Sequence, residues 1–170
     1  PLLTGAVVLI AEDNDFNRLL LRKIIESSGA TVIEAIDGEQ AIKRAEEIRP
    51  DIVIMDVHMP KMDGIMATSE LRKHFPTLPI IALTADVIAS EEHSLRLAGV
   101  TRIEYKPIND TRLIKLLETL CRKEAPIPND RVEHPIKADN SINLVKYQLS
   151  KDELHQELTA QVEALLQAFR

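Results

Sequence analysis

The sequence predicts an α/β protein built on a doubly wound, five-stranded parallel sheet with helices on both faces. Short apolar, β-branched runs alternate with segments whose apolar residues recur at helical spacing, and this alternation repeats five times before Ala125. The connections between these segments are short. Because crossovers between parallel strands are right-handed, such a chain places helices on both faces of one sheet.

The predicted strands share a short length, β-branched residues and flanking turn residues. They are residues 7–11, 31–35, 52–55, 79–83 and 103–105. The third run is apolar throughout, as expected for a strand buried on both faces, and Asp56 follows it directly. Ligands collect at the carboxyl ends of parallel strands, so we expect this acid to lie in a crevice. An aspartate that only caps a turn is the alternative interpretation.

Helix signals fill the intervals between the predicted strands. Asp37 and Gln40 have the spacing of a capping box, and either Asn109 or Asp110 can cap the last helix of the alternating region. Glycine at the end of a helix favours the left-handed conformation that stops it. Helices are therefore predicted before Gly29, between Asp37 and Pro50, over 64–73, over 87–98 with a stop at Gly99, and after Asn109.

Composition excludes several classes of protein. Hydrophobic residues make up 45% and charged residues 28% of the 170 residues, which is typical of a globular protein. The net charge of -6 disfavours nucleic-acid binding by this fragment, and no apolar run approaches the length of a membrane span. The single cysteine, Cys121, has no internal partner for a disulfide, so we expect a cytoplasmic location. The chain starts at Pro1 rather than Met, and we expect it to be part of a longer protein.

The sequence changes character after residue 124. Prolines among Asn, Asp, Glu and Lys predict a linker over 125–149. Residues 150–170 then predict an amphipathic helix whose apolar side chains recur at spacings of three and four. That helix could pack on the preceding domain, pair in a dimer, or begin a truncated following domain.

Acidic, hydroxyl or basic side chains follow four of the five predicted strands. They are Glu12, Asp13, Asp56, Thr84 and Lys106. The carboxyl ends of parallel strands meet at one edge of a sheet, so these side chains are expected to share a crevice. Three carboxylates would repel one another unless they share a cation, and hard oxygen ligands suit Mg²⁺. A carboxylate beside Mg²⁺, an ammonium and a hydroxyl predicts a phosphoryl site in which the carboxylate attacks phosphorus.

The same residues occur in motifs that resemble the receiver domain of two-component signalling. The resemblance covers about residues 7–123, and we assign residues 1–124 to this domain. The first strand, followed by Asn17 and Arg18, resembles receivers carried by hybrid sensor histidine kinases. The motifs are Glu12-Asp13-Asn14, Met55-Asp56, Met59-Pro60, Met62-Asp63-Gly64, Leu83-Thr84-Ala85 and Lys106-Pro107.

The resemblance implies a role for each site residue. Asp56 would accept a phosphoryl group from the phosphohistidine of a kinase transmitter or phosphotransfer domain. Asp13 and Asp56 would bind Mg²⁺ directly, Glu12 would bind it through water, and the backbone carbonyl of His58 would complete the protein ligands. Lys106 would pair with the phosphoryl oxygens.

The resemblance also implies a conformational switch. The hydroxyl of Thr84 would move to meet the phosphoryl oxygens and repack the face built from the fourth helix, fifth strand and fifth helix. The Lys106–Pro107 peptide would be cis. An aromatic residue that many receivers carry three positions before the lysine is replaced by Ile103. An aliphatic side chain fills this space but swings no polar ring inward, and Tyr105 lies on the same face of the strand.

Other functions remain open at this stage. A stand-alone response regulator with a protein-binding output and a degenerate receiver used only for binding are two of them. An aspartyl-phosphate hydrolase of the haloacid dehalogenase type is a remote third, because that family needs a second Asp where His58 stands. A receiver is a phosphoacceptor rather than a turnover enzyme, although its parent protein could be a histidine kinase. Homodimers could form through the helix predicted over 150–170 or through the switch face. Separately, Asp86 is expected to affect hydrolysis of the acyl phosphate on Asp56.

Overall fold

A computed structural model describes residues 2–85 and 88–121 of the chain. The predicted linker over 125–149, the predicted helix over 150–170 and the hypothesis about Asp86 lie outside these residues. Five strands alternate with five helices, which confirms the predicted fold class. The elements are β1 (Val7–Ala11), α1 (Asp15–Glu26), β2 (Thr31–Ala35), α2 (Gly38–Ile48), β3 (Ile52–Asp56), α3 (Gly64–His74), β4 (Ile80–Thr84), α4 (Ala89–Ala98), β5 (Arg102–Tyr105) and α5 (Asp110–Cys121).

The five strands form one parallel sheet with the order β2-β1-β3-β4-β5. The strand order reverses between β1 and β3, so the crevice at their carboxyl ends is the expected ligand site of an open α/β sheet. Asp56 pairs with Leu83, and Thr84 pairs with Tyr105, in the parallel register. The ends of β3, β4 and β5 therefore lie side by side at the edge that holds the candidate site.

Apolar residues of the sheet alternate between two buried layers, as the period of a β-strand requires. One face of the sheet packs against α1 and α5 through residues such as Ile54 and Leu83. The other face packs against α2 and α3 through residues such as Val53 and Met55, and Ala82 joins a smaller cluster with Leu95 of α4. The central strands β3 and β4 are buried along their whole length, which fixes the position of Asp56 and Thr84 at their ends.

Arg72 of α3 joins the third helix to the end of the fourth. Its guanidinium donates to the carbonyl oxygens of Gly99 (2.7 Å), Phe75 (2.9 Å) and Leu78 (2.6 Å). Burial lowers the pKa of this side chain from its ordinary value. Gly99 ends α4 with a φ of 99°, a left-handed conformation that favours glycine.

The structure differs from the sequence predictions in local details. Ile48 follows Ala41 and Ala45 at helical spacing, but unlike them it is 38% exposed, at the last turn of α2. The side chain of Asp37 accepts from the backbone N–H of Gln40 at 2.8 Å, as a capping residue should. The reciprocal contact differs, because Gln40 accepts from the N–H of Ile36 rather than from that of Asp37. Among the described helices, none is long and apolar enough to cross a membrane.

Candidate functional site

Three carboxylates converge where β1 and β3 end. Glu12 and Asp13 follow β1, and Asp56 is the last residue of β3. One oxygen from each side chain lies within 4.8 Å of the others, and no other acid, histidine or cysteine cluster of this kind occurs in residues 2–85 and 88–121. Glu12 and Asp56 are buried, whereas Asp13 is exposed. The cluster is therefore open to solvent on the side of Asp13.

Lys106 supplies a positive charge to this cluster. Lys106 directly follows β5, and its Nζ donates to Oε2 of Glu12 at 2.9 Å and to Oδ1 of Asp56 at 3.0 Å. Burial acts to lower the pKa of Lys106, but hydrogen bonds and charges from Glu12 and Asp56 outweigh it, so the pKa is raised. The pKa of Glu12 is also raised, mainly by burial and further by repulsion from Asp56. The hydrogen bond and charge of Lys106 lower this pKa but offset the increase only in part. The lysine thus shares its charge between two carboxylates that would otherwise repel.

The donor set fits a hard cation such as Mg²⁺. Both oxygens of Glu12 already accept hydrogen bonds, Oε2 from Lys106 and Oε1 from the N–H of Asn14 at 3.1 Å, which suits contact through water. Oδ1 of Asp56 accepts from Lys106, and Oδ2 accepts no hydrogen bond from the part of the chain that the structure describes. Asp13 presents an exposed carboxylate beside them. The residues therefore offer few protein oxygens and leave room for water.

Two residues hold the backbone of the acids in place. Arg18 of α1 donates to the carbonyl oxygens of Glu12 (3.0 Å) and Asp13 (3.4 Å). Gly64, at the start of α3, lies so close to Asp56 that a Cβ there would stand 2.2 Å from the carbonyl oxygen of Asp56. Its N–H donates to the carbonyl oxygen of Val57 at 2.8 Å. The loop after β3 is thus closed tightly behind the acid.

The hydroxyl of Thr84 donates to Oε1 of Glu91, in the first turn of α4, at 2.6 Å. The second oxygen of the same carboxylate, Oε2, lies 3.2 Å from Nε2 of His58. Thr84 is 1% exposed, whereas the side chain of His58 is 58% exposed. Glu91 therefore connects the end of β4 with the loop that follows Asp56.

The switch face carries an aliphatic residue where the resemblance implied an aromatic one. Ile103 is buried with Val57, Ala82 and Leu95, so it fills the space between β4, β5 and α4. Tyr105 packs against the same cluster, and its hydroxyl donates to Glu92 of α4. Burial is the main cause that raises the pKa of Tyr105 to about 12. The tyrosine is thus anchored to the first turn of α4.

The structure brings most of the predicted site residues to one edge of the sheet. Glu12, Asp56 and Lys106 are in direct contact or share a hydrogen-bond partner, and Asp13 lies beside them. The Lys106–Pro107 peptide bond is cis. His58 lies in the loop after β3, and the role of its carbonyl as a metal ligand stays a prediction, as do the roles of the other residues.

Sequence reasoning missed three contributors to the site: Glu91, Arg18 and Gly64. Arg18 and Gly64 belong to motifs that carry the resemblance, but the spacing of those motifs does not reveal their contacts. Glu91 had no such signal, because it stands in a helix beside a second glutamate, Glu92.

Comparison with known proteins places this geometry in a family. "Polar-differentiation response regulator DivK" of Brucella anthropi is 34% identical over 114 residues, which cover 66% of this chain and 93% of that protein. "Sensor protein GacS" of Pseudomonas syringae pv. syringae is 36% identical over 115 residues, which cover 65% of this chain but 13% of that protein. The chain thus spans most of DivK and a small part of GacS.

Solved structures give the same result. The receiver domain of sensor histidine kinase PA1611 from Pseudomonas aeruginosa PAO1, solved with a magnesium ion coordinated in its active site cleft, superposes with a TM-score of 0.66. It is 32% identical and covers 70% of this chain and 99% of that one. The chemotaxis protein CheY4 of Vibrio cholerae superposes with a TM-score of 0.65 at 29% identity, covering 68% of this chain and 98% of that one.

The resemblance found in the sequence is confirmed by these matches. Residues 8–118 match the family described as "Response regulator receiver domain". The chain therefore belongs to the response regulator receiver domains of two-component signalling.

Proposed function

We propose that Asp56 accepts a phosphoryl group from a phosphohistidine in a Mg²⁺-dependent reaction. Receiver domains bind Mg²⁺ in the active site and interact with histidine kinases or phosphotransfer partners. The observation that supports this role most strongly is Lys106, whose ammonium contacts Oδ1 of Asp56 at 3.0 Å while Oδ2 accepts no hydrogen bond from the described residues. Oδ1 of Asp56 is thus held by the Lys106 ammonium, and Oδ2 is available to react.

The chain's own residues account for the steps of this transfer. Oδ2 of Asp56 attacks phosphorus, an oxygen–phosphorus bond forms, and the nitrogen–phosphorus bond of the donor histidine breaks. The bonding electron pair stays on the imidazole nitrogen of the donor. Lys106, already held between Glu12 and Asp56, is placed to pair with the negative oxygens of the transferring group. The product is an acyl phosphate on Asp56.

We infer that Mg²⁺ binds at the cluster of Glu12, Asp13 and Asp56. Asp13 and Asp56 would hold Mg²⁺ directly, Glu12 would hold it through water, and the carbonyl of His58 would complete the set. Bound there, the ion would supply positive charge that neutralises both the carboxylates and the incoming phosphoryl oxygens. Arg18 and Gly64 keep the backbone that carries these ligands in register.

We place the domain in a hybrid sensor histidine kinase. The matches to a small part of GacS and to the receiver of sensor histidine kinase PA1611 favour this context. A stand-alone response regulator with a protein-binding output is the second candidate, because the match covers 93% of DivK. The gene product discriminates between them, since transmitter domains upstream would favour the kinase. A cytoplasmic location stays a prediction in either context.

Intact mass spectrometry after incubation with acetyl phosphate tests the acceptor role. The wild type should gain one phosphoryl group only when Mg²⁺ is present, and Asp56→Asn should gain none. Asp51→Asn is the matched control, because its exposed carboxylate lies before β3 at the opposite edge of the sheet. An adduct that survives Asp56→Asn would contradict the assignment of the acceptor. If the wild type shows neither an adduct nor Mg²⁺-dependent beryllofluoride binding, the domain acts as a binding module instead.

A further inference from the structure

Glu91 is the side chain through which α4 contacts the candidate site. Its carboxylate is 14% exposed, and its two oxygens have different partners. Oε1 accepts a hydrogen bond from the hydroxyl of Thr84, with an oxygen–oxygen distance of 2.6 Å, and Oε2 lies 3.2 Å from Nε2 of His58. Thr84 ends β4 and His58 follows β3, so one carboxylate ties both loops beside Asp56 to the first turn of α4.

The hydroxyl of a threonine carries one proton, so it donates one strong hydrogen bond at a time. Thr84 is 1% exposed, and a buried hydroxyl that loses its partner without finding another is unfavourable. The resemblance to receiver domains implies that the same hydroxyl moves to meet phosphoryl oxygens when Asp56 carries a phosphoryl group. It must then leave Oε1 of Glu91, so the carboxylate and the phosphoryl group compete for a single donor.

We propose that Glu91 is a positioning residue that holds the Thr84 hydroxyl away from Asp56 until a phosphoryl group displaces it. This inference rests on the proposed function, because it assumes that Asp56 carries the phosphoryl group. Glu91 acts through Thr84 and touches neither the donor nor the reacting atoms. Removing its carboxylate removes the acceptor that competes with the phosphoryl group for the Thr84 hydroxyl, so the phosphoryl-bound state forms more readily. A charge-assisted hydrogen bond of ordinary strength corresponds to a shift of about tenfold in affinity.

The neighbouring Glu92 provides a matched control. It carries the same charge in the same first turn of α4, but its carboxylate accepts from the hydroxyl of Tyr105 instead of Thr84. Glu92→Ala therefore removes the same negative charge and a comparable helix-terminus interaction without touching the Thr84 hydroxyl. A difference between Glu91→Ala and Glu92→Ala reports the hydrogen bond rather than the charge.

The test is calorimetric binding of beryllofluoride, a phosphoryl mimic, at saturating Mg²⁺. Glu91→Ala should bind about tenfold more tightly than the wild type, and Glu92→Ala should bind within about twofold of it. In a Thr84→Val background, which has no hydroxyl to release, Glu91→Ala should change nothing. A purely structural role for Glu91 would act equally in both backgrounds. Unchanged or weaker binding by Glu91→Ala, or equal tightening in the Thr84→Val background, would overturn the inference.

Urea unfolding without beryllofluoride tests the contact by itself. Glu91→Ala and Thr84→Val should be non-additive in their effects on stability, because each removes the same hydrogen bond. Additive effects would show that the contact is not formed and would overturn the inference. If the wild type binds no beryllofluoride with Mg²⁺, the proposed function fails and the competition fails with it. If the wild type binds but Glu91→Ala does not differ from it, the inference alone fails.

Discussion

Substituting alanine for Gly64 should damage the acceptor site more than it damages the fold. A Cβ at this position would stand 2.2 Å from the carbonyl oxygen of Asp56 and 3.0 Å from Cγ of Met55. Carbon–oxygen contacts are ordinarily at least about 3.3 Å, so the start of α3 and the end of β3 must separate by roughly 1 Å. Because backbone rather than a flexible side chain has to yield, the cost should reach about 3 kcal/mol, the upper end for overpacking.

The functional loss should exceed what this destabilisation explains. A domain with a free energy of unfolding of about 5–15 kcal/mol stays folded after such a loss. A displacement of about 1 Å at the reacting group can nevertheless slow a reaction by about 100-fold. The assay combines urea unfolding, followed by circular dichroism at a far-ultraviolet wavelength, with the rate of phosphorylation by acetyl phosphate measured by intact mass.

Gly38→Ala is the matched control for this prediction. A Cβ at Gly38 would lie 2.6 Å from the carbonyl oxygen of Met62, so it also clashes with backbone, but not with that of Asp56. We expect a comparable loss of stability and a much smaller loss of phosphorylation rate. If Gly64→Ala phosphorylates at the wild-type rate, or if both variants slow equally, the close approach of Gly64 does not position the acceptor.

Three further predictions concern other parts of the domain. Lys106→Met leaves Glu12 and Asp56 without their shared ammonium, so Mg²⁺ should bind more tightly, on the order of tenfold by calorimetry; weaker Mg²⁺ binding would contradict this account. The hydrogen bond from the Gln40 N–H, with a smaller contribution from Lys61, lowers the pKa of Asp37 in the folded state. The ionised carboxylate therefore stabilises the fold fully above the unfolded-state pKa of about 3.9, and this stability is lost as pH falls through the lower folded-state pKa. Asp37→Asn should therefore cost about 0.5–1 kcal/mol at neutral pH and little in acid, by urea unfolding at several pH values, and a pH-independent difference would refute the role of the charge. Burial raises the pKa of Cys121 to about 11, so a thiol reagent should modify it at pH 8 far more slowly in the folded than in the unfolded protein, and equal rates would show that the thiol is not shielded.

The core of the candidate site could be predicted from the sequence because it depends on strand ends. A buried apolar run ending in Asp56 fixes the edge at which the acid lies, and Lys106 reaches the same edge because all the strands are parallel. Ile48 shows the limit of such reasoning, because it recurs at helical spacing with the buried Ala41 and Ala45 but is exposed at the last turn of α2. Periodicity describes the faces of a helix and not how far the sheet extends beneath it.

Glu91 could not have been predicted for a different reason. Two glutamates stand side by side at the start of α4, and the sequence does not reveal which one faces the end of β4. That choice depends on the rotation of the helix on the sheet, which is set by the burial of Leu95 against Val57 and Ala82. Contacts of this kind follow from tertiary packing and have no signature in spacing or composition.

The fixation of α4 by Arg72 determines how that helix can move. Its carboxyl end is held where the guanidinium contacts the carbonyl oxygen of Gly99, whereas its amino end is held by the side-chain hydrogen bonds of Glu91 and Glu92. The bond from Thr84 to Glu91 can exchange partners without breaking backbone pairing. If α4 moves when Glu91 releases Thr84, we expect it to pivot about Gly99 rather than slide along the sheet. Over its 10 residues, about 15 Å, a rotation of about 10° displaces the amino end by about 2.6 Å and leaves the carboxyl end in place.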